Sequence, residues 1–369
     1  MRAAGLLLIA GAALSAQERG SWVVRIGTDT VALETYQRTA TGLRGELVTR
    51  SPVSLHRIYT VTYDAAGRSY ELVTHNIGGA PNIPMEARTG GPSSDRFPYL
   101  FPAVGLIEDA VRAVRARQTD SATVTGVQMT NGSATTLTIK LFGRDSVHLY
   151  LGPIVGAFVG TLDPTDGLTR ISGQQTTEKY DWERVRELDL AALGPRFAGR
   201  PITSLSPRET TTVAFGSGGI TITYGSPSVR GRTIFGAITP WGQVWRAGAN
   251  AATTFTTTAP VSVAGRRVPA GTYTLWILPT PTTWTLIINT QTLAPCGATC
   301  PAPRAPLWGT DYSPDSDLVR VPMLVQQSPA LIERFGITAT PQRDLAGDAA
   351  VLTFAWEHTR ASVEIRQPK

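Results

Sequence analysis

The sequence predicts a mainly β protein with two domains, and three observations support this prediction. The chain has 369 residues, a length that favours two domains over one or three. Apolar residues make up 42 % of it, enough for hydrophobic cores, and charged residues only 17 %, which is common in β-rich exported proteins. Abundant Thr and Val, with 36 Gly and 26 Pro between short β-prone runs, favour strands separated by turns.

Residues 1–16 have the pattern of a secretory signal peptide. Arg2 forms a short basic region, Ala3–Leu14 is an apolar stretch too short to anchor in a bilayer, and Ser15 and Ala16 supply small residues for cleavage. The alternative is the first helix of a cytosolic protein, but the segment has no polar face. No later segment reaches about 18 uninterrupted apolar residues, so we expect no transmembrane anchor in the mature chain. The predicted location is the periplasm or the exterior of a bacterium.

The N-terminal domain, residues 17–198, is predicted to be an antiparallel β-sheet. Gly45–Tyr63 alternates in a strand-like way, Asp64–Arg68 is a turn, and the following SYELVTH is the partner strand. Asn131-Gly132 stands between two β-rich runs, which is the strongest short-range signal for a hairpin. These signals together predict a meander of short strands.

One helix is predicted to interrupt this meander within Phe101–Arg117. Val104, Ile107, Val111 and Val114 recur at helical spacing, and charged residues occupy most of the other faces. We interpret the apolar stripe as a helix that covers one face of a sheet. A second interpretation is a helix that closes the mouth of a curved sheet holding a lipid, as in the outline of exported lipid or lipoprotein carriers.

The boundary between the domains is predicted near Gly199, inside a segment that contains three prolines and lacks periodicity. The C-terminal domain then comprises residues 199–369. Its many short β-prone runs, split by Gly, Pro and charged turns, predict a β-sandwich or a jelly-roll-like domain.

The most distinctive segment of the chain is Gly231–Thr254, GRTIFGAITPWGQVWRAGANAATT. Tyr224–Gly236 carries a Tyr-x-x-Pro-x-x-x-Gly-Arg-x-x-Phe-Gly pattern, and Pro240–Thr253 carries Pro-Trp-Gly-x-x-Trp-Arg-x-Gly-Ala-Asn-x-Ala-Thr. With the hairpin that begins at Pro269–Pro279, these patterns resemble the bacterial family known as domain of unknown function 2911 over about 165 residues. The resemblance implies an exported bacterial domain, but it implies no reaction and no catalytic residues.

Two cysteines, Cys296 and Cys300, lie in a Pro-rich loop that looks like an insertion relative to the family pattern. In an oxidising compartment a local disulfide is the simplest outcome, and free thiols are the alternative. A zinc site needs about four ligands, and no histidine lies nearby in the sequence.

Polar residues within and beyond Gly231–Thr254 form the candidate ligand-binding set: Arg232, Trp245, Arg246, Asn250 and Glu357. Arginine suits carboxylates and phosphates, and tryptophan offers a flat stacking face, so the set could bind an anionic or sugar-like ligand. In the structural alternative, Arg246 pairs with a carboxylate such as Glu357 and stacks on a tryptophan, while Asn250 binds turn backbone.

Catalysis, metal binding and nucleic-acid binding have little support in the sequence. The four histidines form no metal-type pair, no Gly-x-Ser-x-Gly motif occurs, and Asp311, Asp315 and Asp317 lack the rest of a calcium loop. Glu357 and His358 are adjacent on a strand and would face opposite ways. The net charge of +6 comes from scattered arginines rather than a basic patch. We therefore expect no cofactor, no metal, no catalytic residue and no nucleic-acid partner.

The sequence thus favours an exported, non-enzymatic protein that binds a small anionic, sugar-like or lipid ligand of the cell envelope. One alternative is an envelope hydrolase with a site around Glu357 and His358. Another is a structural or protein-interaction module of the envelope, with exposed strands or tryptophans that dock a partner.

Overall fold

A computed structural model describes residues 17–51, 53–76, 86–152, 154, 156–176, 179–200, 202, 204–215, 218–295, 304–344 and 347–368. The chain divides into two compact units, Met1–Thr203 and Ser204–Lys369. Strands dominate both units, so the predicted mainly β class is confirmed. The predicted signal peptide (residues 1–16) and the predicted disulfide between Cys296 and Cys300 lie outside the described residues.

The described residues of the N-terminal unit form thirteen strands and two helices. The strands are β1 (Glu18–Ile26), β2 (Asp29–Thr39), β3 (Gly42–Thr49), β4 (Leu55–Asp64), β5 (Gly67–Asn76), β6 (Glu86–Ser93), β7 (Arg96–Tyr99), β8 (Ser121–Gln128), β9 (Ala134–Phe142), β10 (Ser146–Leu151), β11 (Phe158–Leu162), β12 (Leu168–Ser172) and β13 (Asp181–Val185). The helices are α1 (Val104–Ala116) and α2 (Leu190–Ala198).

All thirteen strands form one sheet in the order β6-β5-β4-β3-β2-β1-β13-β12-β11-β10-β9-β8-β7. Neighbours are antiparallel except β7 and β8, which are parallel because α1 provides the crossover between them. The two edge strands, β6 and β7, are consecutive in the chain, and only Ser94 and Asp95 separate them. The sheet therefore curls until its edges approach each other, and β5 contacts β7 across the gap.

Helix α1 lies on the inner side of this curled sheet. Along β2, Glu34, Tyr36 and Arg38 face α1, whereas Leu33 faces outwards, as the two-residue period of a strand requires. Most of α1 is buried, including Glu108 on its charged side, so the helix is enclosed rather than laid on one face. Helix α2 covers the outer side of the same strands, where Leu190 packs among apolar residues.

Two tyrosine rings lie across neighbouring strands inside the curl, at positions where the neighbour is glycine. Tyr59 of β4 is paired with Gly45 of β3, and a Cβ on Gly45 would stand 2.1 Å from the ring of Tyr59. Tyr36 of β2 is likewise paired with Gly20 of β1, where a Cβ would lie 2.3 Å from the ring. Because these glycines lack a Cβ, the two tyrosine rings can lie across them, and their hydroxyl groups reach Glu34 and Glu108.

In the C-terminal unit, the part of the chain that the structure describes forms nine strands in one ladder. The strands are β14 (Arg208–Phe215), β15 (Gly218–Gly225), β16 (Thr253–Thr257), β17 (Val261–Val263), β18 (Arg266–Val268), β19 (Gly271–Pro279), β20 (Trp284–Asn289), β21 (Asp317–Asp344) and β22 (Gly347–Arg366). Their order is β14-β15-β16-β19-β20-β21-β22-β17-β18.

The ladder folds over its main apolar core through the long, bent strands β21 and β22. Two register shifts interrupt their pairing between Gln327 and Gly336, where the strands bend. The first strand, β14, then contacts β21 and β22 although it is not their neighbour in the ladder. The Tyr224 hydroxyl accepts a hydrogen bond from Ile337 N at 3.1 Å, and Ser226 Oγ donates to Phe335 O at 2.6 Å. These bonds join the two layers of the predicted sandwich.

Candidate functional site

The segment between β15 and β16, which contains Gly231–Thr254, is held by isolated bridges rather than by a regular strand. Ser228 pairs with Arg334, Trp245 with Ile277, and Ala251 with Trp308. Three of its non-glycine residues have left-handed backbone: Arg230 (φ 49°), Ala247 (φ 47°) and Asn250 (φ 65°). Such conformations each cost of order 1 kcal/mol or more, so the surrounding contacts must fix this path firmly.

Arg232 and Glu357 bind the backbone of this segment. Arg232 Nε donates to Val229 O at 3.0 Å, and its Nη2 donates to Ser228 O at 2.8 Å. The Glu357 carboxylate accepts from Ile234 N at 3.0 Å and from Phe235 N at 3.4 Å. Glu357 itself has a left-handed backbone (φ 54°), which aims its side chain at these amides. Both charged groups therefore stabilise the turn.

Trp245 belongs to an aromatic cluster beneath the segment. Its ring stacks on Trp356 at a centroid distance of 5.7 Å, and its Nε1 donates to Gly248 O at 3.1 Å. The other rings of the cluster are Phe235, Trp241, Trp284 and Phe335. Trp241 is 41 % exposed, whereas Trp356 is buried in the core.

Arg246 and Asn250 lie in a separate group with the chain around Trp308. Arg246 Nη1 donates to Asn250 O at 2.9 Å, and Gly309 N donates to the same oxygen at 3.1 Å. Gly309 packs so closely on Arg246 that a Cβ there would stand 2.0 Å from Arg246 Cδ. Trp308 is bridged to Ala251 and is 48 % exposed.

The five predicted site residues thus form two groups. Arg232, Trp245 and Glu357 surround the aromatic cluster and its backbone, whereas Arg246 and Asn250 meet near Trp308. The Glu357 carboxylate accepts from two backbone amides, whereas Arg246 donates to Asn250 O. The sequence reasoning missed Trp308, which lies far from Asn250 in the chain and follows the cysteine loop.

The candidate catalytic and metal-binding residues have separate structural partners. His358 is exposed, with Nδ1 3.1 Å from Ser328 O, while Glu357 is bound to backbone amides on another side. Asp317 accepts hydrogen bonds from Asn289 Nδ2 at 2.9 Å and from the Tyr312 hydroxyl at 2.7 Å, which fixes the predicted Asp-rich turn. Among the residues that the structure describes, no group of three or more His, Cys, Asp or Glu could hold a metal ion.

The N-terminal unit has a buried carboxylate at the start of α1. Glu34 of β2 is fully buried, and its oxygens accept from Val104 N at 2.6 Å and Gly105 N at 3.1 Å and from the Tyr59 hydroxyl. Ala103, at the N-cap position, makes no side-chain cap, so Glu34 caps the helix from the sheet. Burial raises the pKa of Glu34 to about 7, although the three hydrogen bonds favour the charged form.

A second buried carboxylate, Glu108, joins α1 to the sheet one turn further along. It accepts from Arg38 Nη1 at 3.0 Å, from the Tyr36 hydroxyl and from Leu168 N at 2.5 Å. Arg38 Nη2 also donates to Gly105 O at 2.7 Å. These polar residues interrupt the apolar alternation of β2, which is the sequence signal for a polar contact inside the curl.

No helix within the described part of the chain is long and apolar enough to cross a membrane. No curated protein matches the sequence. A family model described as "Protein of unknown function (DUF2911)" matches residues 206–365, and no family model matches the N-terminal half. The matched residues begin just before β14 and end within β22, so they cover the folded core of the C-terminal unit. The resemblance inferred from Gly231–Thr254 is confirmed, because the DUF2911 family model matches the C-terminal half of this chain.

Proposed function

We propose that the C-terminal unit binds a small sugar-like or anionic ligand at a surface formed by Arg246, Asn250 and Trp308, called here the Trp308 surface. The observation that carries this proposal is the half-exposed Trp308 held beside Asn250. Within the described contacts the Asn250 carboxamide makes no hydrogen bond, so its donors and acceptor are available to a ligand.

The chemistry of these three side chains suits a ring that carries hydroxyl or carboxylate groups. An indole provides a flat apolar face, an amide provides both donors and an acceptor, and a guanidinium provides fixed donors for oxyanions. The backbone beneath them is fixed by Gly309 N and Arg246 Nη1 on Asn250 O and by Ala252 N on Leu307 O. A preorganised backbone reduces the entropy lost on binding.

The proposed setting is the periplasm or the exterior of the cell, where envelope saccharides and their anionic derivatives are present. The support for it is the signal-peptide pattern of residues 1–16 and the low content of charged residues. A lipid ligand of the C-terminal unit lacks comparable support, because the candidate residues are polar or aromatic.

The interaction-module alternative also has a specific observation in its favour. Strand β21 carries three exposed leucines, Leu318, Leu324 and Leu331, with exposed fractions of 41 %, 63 % and 52 %. Contiguous exposed apolar patches are typical of contact surfaces. The hydrolase alternative has no such support, since Glu357 and His358 are bound to different parts of the backbone.

The test of the proposal compares two exposed tryptophans of the same unit. Chitooligosaccharides and uronic-acid oligosaccharides serve as neutral and anionic probes, and binding to the full chain is measured by isothermal titration calorimetry. We expect Trp308→Ala to weaken binding at least about tenfold, which corresponds to ~1.4 kcal/mol. Trp241→Ala is the matched control and should leave the affinity unchanged.

Asn250→Gly removes the side-chain carboxamide and keeps the backbone path, because glycine adopts the left-handed conformation without strain. We expect this variant to fold normally and to lose affinity for the same probes. Equal affinity of wild type and Trp308→Ala for every probe, or equal losses in Trp308→Ala and Trp241→Ala, would refute the Trp308 surface as the binding site.

A further inference from the structure

Arg57 of β4 faces the interior of the curled sheet. Strand β4 pairs with β3 and β5 without a register shift, so its side chains alternate regularly between the two faces. Tyr59 and Val61, on the same face as Arg57, are buried within the curl. The Arg57 side chain therefore projects from the inner face of the sheet and not from its outer surface.

The position of Arg57 lies beyond the first turn of α1. Along β4, the Tyr63 hydroxyl binds Asp109 at 2.8 Å, and the Tyr59 hydroxyl reaches Glu34 and the start of the helix near Gly105. The strand thus runs past α1 from its second turn towards its N-terminus. Two further residues along a strand span about 7 Å, so Arg57 stands beyond the N-terminus of α1 along the inner face of the sheet.

The Arg57 guanidinium has no partner among the described residues. Its Nε is buried without a hydrogen bond, and no described residue forms an ion pair or hydrogen bond with its side chain. Burial alone lowers the pKa of Arg57, because no acidic group offsets the loss of hydration. The other inward arginines differ, since Arg38 binds Glu108 and Arg68 binds Asp109.

The residues next to Arg57 on the sheet cannot neutralise it. Its direct cross-strand partners are Leu47 and Thr74. Glu34 lies in the same row beyond Leu47, about 10 Å from Arg57, and its oxygens are occupied by Tyr59 and the backbone of α1. A partly buried cation without a counter-ion is unfavourable, and a bound anion reduces that cost.

We propose that Arg57 is the receptor for an oxyanion, the carboxylate or phosphate group of a small ligand that enters the curled sheet beyond the N-terminus of α1. Guanidinium donors are arranged to bind two oxygens of such a group at once. The Thr74 hydroxyl, on the neighbouring strand, is the nearest additional donor by register. This site belongs to the N-terminal unit and does not depend on the Trp308 surface.

The test uses the full chain and two simple probes, inorganic phosphate and acetate, with chloride at equal ionic strength as the reference. Thermal unfolding is followed by calorimetry, and direct binding by titration. At ten times the dissociation constant, the bound oxyanion should raise the melting temperature of the wild type by about 3 °C. A response to phosphate alone or to acetate alone identifies which oxyanion the site prefers.

Arg57→Met should remove this rise and should melt, without oxyanion, at a temperature no lower than the wild type. Arg57→Lys keeps the charge but cannot bind two oxygens of the oxyanion in a bidentate way. It should therefore fold and bind the oxyanion at least about fivefold more weakly. Arg44→Met changes an exposed arginine of the same sheet and should retain the full rise. The proposal would be overturned if no oxyanion raised the melting temperature of the wild type. It would also be overturned if Arg57→Met kept the rise in melting temperature, or if Arg57→Lys bound the oxyanion as tightly as the wild type.

Discussion

Replacing Glu34 by glutamine tests whether the buried carboxylate controls the pH dependence of stability. The pKa of Glu34 is about 7 in the folded protein and 4.5 when exposed to water. The folded state therefore holds the proton more tightly than the unfolded state. The contribution of Glu34 to stability is greatest below pH 4.5 and falls as the pH rises to about 7. A difference of about 2.5 pKa units corresponds to a loss of ~3 kcal/mol.

Glu34→Gln keeps the shape of the side chain but does not titrate. One oxygen remains to accept from Val104 N or Gly105 N, and the loss of the other acceptor should cost about 1–2 kcal/mol at acid pH. The free energy of unfolding is measured by urea denaturation at pH 5 and pH 8 for both proteins. Other titrating groups contribute equally to the wild type and to Glu34→Gln. The free energy of unfolding changes between pH 5 and pH 8 in each protein, and the difference between these two changes is the contribution of Glu34.

We expect the wild type to lose up to about 3 kcal/mol more stability than Glu34→Gln between pH 5 and pH 8. The Glu34→Asp variant is a useful second control, because it titrates but is too short to reach both the helix and Tyr59. If wild type and Glu34→Gln change in parallel within about 0.5 kcal/mol, the carboxyl group does not titrate as inferred. If the wild type became more stable relative to Glu34→Gln between pH 5 and pH 8, the pKa of Glu34 would be lowered by folding and not raised.

Two further pairs of substitutions test the packing, one pair in each unit. Gly45→Ala should destabilise the N-terminal unit by about 2 kcal/mol, because its Cβ would overlap the Tyr59 ring, whereas Gly91→Ala, with no atom within 4 Å, should be nearly neutral in urea denaturation. Glu357→Ala should destabilise the C-terminal unit by about 2–3 kcal/mol through the loss of two charge-assisted bonds to buried turn backbone, and His358→Ala by less than about 1 kcal/mol. Equal effects within either pair would contradict these assignments.

Local sequence patterns predicted the strands, the hairpins and α1, because their signals lie within a few residues. The curl of the N-terminal sheet could not be predicted in this way, since it depends on β6 and β7 being at opposite edges of the final sheet. A helix that closes a curved sheet was one of two interpretations of the apolar stripe in α1, and no local pattern decided between them. Glu108 looks like a solvent-facing residue in the sequence, and only its contacts with Arg38 and Tyr36 explain its burial.

The candidate site was predicted in its residue types but not in its grouping. Arg232 and Arg246 bind backbone carbonyl groups, and any residue supplies a carbonyl, so no sequence pattern identifies such partners. Trp308 lies beside Asn250 because it forms a bridge with Ala251, which is distant from it in the chain. The sequence identified the family from this segment, whereas its exposed surface required the three-dimensional arrangement.

The central position of β1 in the N-terminal sheet has a consequence for how the chain folds during synthesis. This strand is the first to emerge, yet it pairs with β2 on one side and with β13 on the other. Its second edge stays open until the chain has been made as far as Val185, and an unpaired strand edge is prone to join other chains. A nascent chain halted before β13 should therefore aggregate or recruit a chaperone, and a chain released just after β13 should not.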